Sequence, residues 1–65
     1  MDKNEFDYLI NQMRQKGLND DNILKILIRT FEQNKCDIDD LELMFFWMGY
    51  ELNDRFYEDH NIKRK

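Results

Sequence analysis

The chain has no proline, no serine, only two glycines and a single cysteine among its 65 residues. Each scarcity excludes something. Without proline, nothing interrupts a long helix by the loss of a backbone donor. Without serine there is no serine nucleophile. Gly17 and Gly49 lie 32 positions apart and cannot form a phosphate loop or a dinucleotide fingerprint. Cys36 cannot close an internal disulfide, and a single cysteine with a single histidine in the chain makes no structural zinc cluster. No run of about 18 apolar residues is present to span a membrane. Met1 is followed by Asp2, Asn4 and Glu5 instead of a basic stretch and an apolar core, so no secretory signal is visible and a cytoplasmic location is expected.

What is present is apolar and acidic. Hydrophobic residues make up 42% and aromatic residues 14%, too many for a disordered acidic tail. Ten basic residues face fourteen acidic ones. Three of the basic ones, Lys63, Arg64 and Lys65, form a terminal tail, so residues 1–62 carry seven against fourteen. Such a body disfavours a phosphate backbone, where affinity comes from cations that displace counterions. A domain this short buries only about 60% of the surface its unfolded chain exposes. Small domains usually add a disulfide, a metal or a partner chain. The first two are not expected here, so a partner is a live option from size alone.

Three helices are expected in a small all-α bundle. The first covers about residues 3–16: Asp2 and Glu5 have capping-box spacing, Phe6, Leu9, Ile10 and Met13 form one apolar stripe, and Gly17 suits the left-handed position past the end. The second covers about 20–34, with Asn19 as N-cap, Leu18 and Ile23 as a hydrophobic staple, and a wide apolar face from Ile23 to Phe31. The third and longest covers about 38–59, with Asp37 as N-cap. Residues 63–65 are left as the basic tail.

The third segment carries two apolar faces. At about 100° per residue from Leu41, the residues Leu41, Met44, Phe45, Met48, Leu52 and Phe56 fall within roughly 60° of the Leu41 direction. Leu43, Phe46, Trp47, Tyr50 and Tyr57 gather on the opposite side, with Asp54 beside them. The first stripe is ordinary core material. The second is rich in the amphipathic aromatics that favour protein interfaces. It is either a second internal face, or a surface that meets another chain through Leu43, Phe46, Trp47, Tyr50, Asp54 and Tyr57. The second alternative is the expectation, because two short helices have little area to cover both faces of a 22-residue helix. Gly49 inside that helix would mark close approach by a neighbour.

The remaining chemistry-bearing residues are weak signals. Asp37, Asp39, Asp40 and Glu42 lack the sixth-position glycine and twelfth-position glutamate of a calcium loop. They read as helix capping, with recognition of a basic partner surface as the sharper alternative. Cys36 and His60 lack a constellation that would make them catalytic. A helix-turn-helix from the second and third helices would place those same acids where base-reading residues belong.

The expected function is therefore non-enzymatic, with no cofactor or metal. The chain reads as a small acidic interaction protein, a homodimer, that binds or inhibits another macromolecule through the helix-3 aromatics and the acidic surface. A DNA-binding regulator is the alternative. Freedom from proline with abundant Asn, Ile, Lys and Asp is also the composition of short reading frames from AT-rich bacteria and their phages.

Overall fold

A computed structural model describes residues 2–63 of the chain. Those residues form four helices and no strand: α1 (Lys3–Gln15), α2 (Asp20–Glu32), α3 (Ile38–Met48) and α4 (Asp54–Asp59). The all-α class stands, but the expected third helix over 38–59 is two helices. The 11-residue α3 is shorter than either α1 or α2. Of the basic tail, Arg64 and Lys65 lie outside the described residues.

Gly49 is where the long helix fails. Its φ of 89° is left-handed, a conformation that leaves an L side chain strained and that glycine adopts freely. The turn is a Schellman motif: the Gly49 N–H donates to the Phe46 carbonyl and the Tyr50 N–H to the Phe45 carbonyl, each at 2.9 Å. No neighbouring atom lies within 4 Å of the place a Gly49 Cβ would occupy, so backbone conformation, and not close helix approach, is what requires glycine. Four residues later Asn53 starts α4, its side chain accepting from the Phe56 N–H at 2.8 Å. Leu52 and Phe56 still reach the core from the new segment, which is why the stripe seemed to continue past the break.

The same local chemistry bounds every helix. Asp2, Asn19, Asp37 and Asn53 each accept from the backbone N–H three residues on. At α2 the box is reciprocal, since the Asn22 side chain accepts from the Asn19 N–H. The left-handed residue past each end is Gly17, Asn34, Gly49 or Asn61. Asn can take this conformation because its short amide bonds locally, and Asn34 ends α2 two residues before the expected position.

α2 and α3 pack most closely and run antiparallel, since Tyr50 beyond the end of α3 reaches Asp20 at the start of α2. α4 folds back, so that Tyr57 reaches Glu42 in α3 and His60 reaches Glu32 in α2. α1 lies against the C-terminal half of α3, where the Phe6 and Trp47 rings meet at 5.3 Å. The core gathers Phe6, Ile10, Ile23, Leu27, Leu41, Met44, Phe45, Leu52 and Tyr57. The body is elongated, 34 × 22 × 22 Å.

Candidate protein-docking face

α3 divides its side chains between two environments. Leu41, Met44 and Phe45 point into the core, and Met48 is half-buried against it. Leu43 and Phe46 point out, with Phe46 72% exposed and Leu43 42%. Spacing explains why these two are neighbours: residues three and four apart share one helix face. Leu43 therefore sits beside both Phe46 and Trp47. A groove of about 250 Å³ is lined by Leu43, Met44, Trp47, Asp40, Cys36 and Lys35.

The aromatic stripe expected from the sequence is thus dispersed. Tyr57 is only 6% exposed and belongs to the core, its hydroxyl donating to the Glu42 carboxylate. Trp47 is half-buried against Phe6. Tyr50 has left the helix, and its hydroxyl donates to Asp20 at 2.9 Å. That hydrogen bond, with the Asp20 charge behind it, raises the phenol's pKa above its ordinary value. Asp54 lies in the exposed first turn of α4. Leu43 and Phe46 remain as the outward part of the stripe.

The acidic residues stand one turn away. Asp37 caps α3, and Asp39 and Asp40 occupy its first turn, where negative charge offsets the helix dipole. Asp39 and Glu42 precede Leu43 and Phe46 by one helical turn, so the outward face is acidic first and apolar next. Among the described residues no group of three or more His, Cys, Asp or Glu side chains could hold a metal ion.

Cys36 and His60 are placed in separate roles. Cys36 is half-buried at the turn before α3, and burial, with the nearby charges of Asp40 and Asp37, raises its thiol pKa. A raised pKa keeps the thiol protonated and poorly nucleophilic. His60 stacks on Phe56 at 4.2 Å. Its Nδ1 lies 2.9 Å from the Phe56 carbonyl and its Nε2 3.1 Å from the Glu32 carboxylate. Both partners are acceptors, so the imidazolium with two N–H groups satisfies both, and the Glu32 bond leads the upward shift of the His60 pKa.

No protein-family model matches the chain, and neither the curated proteins nor the solved structures compared with it yield a match. Among the described residues no helix is long and apolar enough to cross a membrane.

A second apolar surface went unread in the sequence. Tyr8 and Leu9 are exposed on α1 at 63% and 44% and, with Asn4 and Glu5, line a shallow depression. Leu9 fits the helical stripe of α1 by spacing, yet only Phe6 and Ile10 of that stripe are buried. Tyr8 lies off the stripe, and that offset was the available signal.

Proposed function

We propose that this chain is a non-enzymatic interaction protein that docks another macromolecule, a second copy or a different protein, on the outward face of α3. The observation that carries the reading is Phe46. Its ring is largely exposed beside Leu43 on a helix whose opposite face packs into the core through Leu41, Met44 and Phe45. Exposed aromatics clustered with aliphatic neighbours are typical anchors of protein interfaces. The acids at Asp37, Asp39, Asp40 and Glu42 supply a polar rim on one side of that anchor.

Phe46→Asp tests the reading with little risk to the fold, because the ring is mostly in solvent. Trp47→Ala is a poorer probe, since it also removes the contact with Phe6. Light scattering of the chain or affinity capture with the tagged chain, each against Phe46→Asp, should show in one or the other an association that the substitution removes. Self-association and capture that are both indifferent to Phe46→Asp would refute the role of this face. A salt-dependent shift of duplex DNA would favour a DNA-binding regulator in its place.

A further inference from the structure

Charge decides which occupant the α3 face suits. Between Asp37 and Asp54 the chain has six acidic residues, Asp37, Asp39, Asp40, Glu42, Glu51 and Asp54, and not one basic residue. Residues 1–36 contain six of each sign, and residues 55–65 contain four basic and two acidic. The whole excess of negative charge therefore lies on α3, its exit and the first residue of α4. Leu43 and Phe46 sit in the middle of that segment, with carboxylates both before and after them along the chain.

We infer that the α3 face binds a basic amphipathic helix of a different protein, and that it does not pair with a second copy of itself. The inference rests on the docking role proposed above and names its partner. A two-fold interface brings a patch against its own image. For this face that would place two acidic segments together, with Lys35 at the groove as the one cation beside each, and like charges juxtaposed at an interface oppose association. A helix with an apolar stripe flanked by lysine or arginine meets both parts of the face. Its aliphatic side chains pack on Leu43, Phe46 and the groove edge at Trp47, while its cations reach Asp39, Asp40 and Glu42 in the first half of α3. The span suits such a partner: α3 has 11 residues, about 16 Å at 1.5 Å per residue, or three turns of a helix lying alongside. Two exposed apolar side chains make a small anchor, so the affinity belongs to the micromolar range.

The probe is a synthetic helical peptide of about 18 residues made of leucine and lysine, with leucines at helical i, i+3, i+4, i+7 spacing. A scrambled peptide of the same composition is its control. Trp47, the only tryptophan, lines the groove and reports binding by its emission in the full chain. The amphipathic peptide is expected to bind with a Kd of roughly micromolar order, and the scrambled one about tenfold more weakly or worse. Phe46→Asp should weaken binding about tenfold, whereas Tyr8→Asp, the same change on the exposed surface of α1, should leave it unaltered. If Phe46→Asp loses its helical circular dichroism, Phe46→Gln answers the same question. Equal binding of the scrambled peptide, or equal effects of the two Asp substitutions, overturns the inference by showing unspecific charge attraction. Sedimentation of the chain alone should show a monomer at about 100 µM, well above that Kd range. A dimer dispersed by Phe46→Asp overturns the basic-helix partner but retains the α3 face as an interface. Indifference to Phe46→Asp in both measurements overturns the partner and the face together.

Discussion

The Tyr50 hydroxyl donates to Asp20 Oδ2 at 2.9 Å, joining the loop after α3 to the first turn of α2 across 30 positions of sequence. The other Asp20 oxygen pairs with Arg14 of α1 at 3.0 Å. One carboxylate thus ties together three segments of the chain. Tyr50→Phe should lower the urea midpoint only slightly, because the bond lies at an exposed site where water competes for both partners. Urea unfolding measures this. A phenolate absorbance titration provides an independent check: Tyr50 should ionise at higher pH than a free phenol, and Asp20→Asn should abolish that delay.

Gly49→Ala discriminates between a continuous helix and the observed break. In a helix interior, alanine would stabilise by about 1 kcal/mol relative to glycine. At a φ of 89° the sign reverses, and a loss of about 1 kcal/mol is expected. The same substitution at Gly17, with φ 92°, should behave alike. An increase in urea midpoint for Gly49→Ala would contradict the four-helix description.

His60 makes stability depend on pH. Its folded pKa is raised, chiefly by Glu32, so its contribution is fully present below the unfolded value of about 6.5 and is lost as pH rises through the folded value. The partners are partly exposed, and a contribution of about 0.5 kcal/mol is the appropriate scale. Urea midpoints taken from about pH 5 to about pH 8 should fall for the native chain more than for Glu32→Gln. Parallel curves would remove His60 from the account.

Ile23 and Leu41 have no exposed surface. Truncating either to alanine should cost about 2–5 kcal/mol through lost burial and a residual cavity. A chain of this length has roughly 3–10 kcal/mol in total. Circular dichroism melting should show Leu41→Ala close to unfolded at room temperature, while Leu43→Ala, two residues away and exposed, changes stability little.

The parts of the fold legible in the sequence are those governed by near neighbours. Asp2, Asn19 and Asp37 are recognisable as N-caps because the bond each makes closes within three residues. Gly17 is recognisable as a stop because polar residues and a fresh cap follow it. Gly49 and Asn53 are chemically the same kind of stop and start. They were hidden because Leu52 and Phe56 keep the apparent periodicity going, although they reach the core from a different segment. Asn34 was hidden because it lies in the polar run Gln33–Lys35, which marks no sharp boundary in the apolar pattern, and only its backbone conformation shows it as the terminator.

The candidate face was half legible for a related reason. Periodicity separated Leu41, Met44 and Phe45 from Leu43 and Phe46 correctly, because all five lie on one helix. It also grouped Tyr50 and Tyr57 with Phe46, and the break at Gly49 ends that geometry.

From the sequence alone came the helical class, three of the four N-caps and the acidic, cation-free character of residues 37–54, since composition and local hydrogen bonding need no knowledge of distant partners. Tertiary structure alone decided which aromatic ring is core, which is tethered and which is left in solvent. Tyr57 is buried only because α4 folds back to Glu42, and Tyr50 is held only because α2 begins beside it. Phe46 is exposed because α1, α2 and α4 together cover only the opposite face of α3.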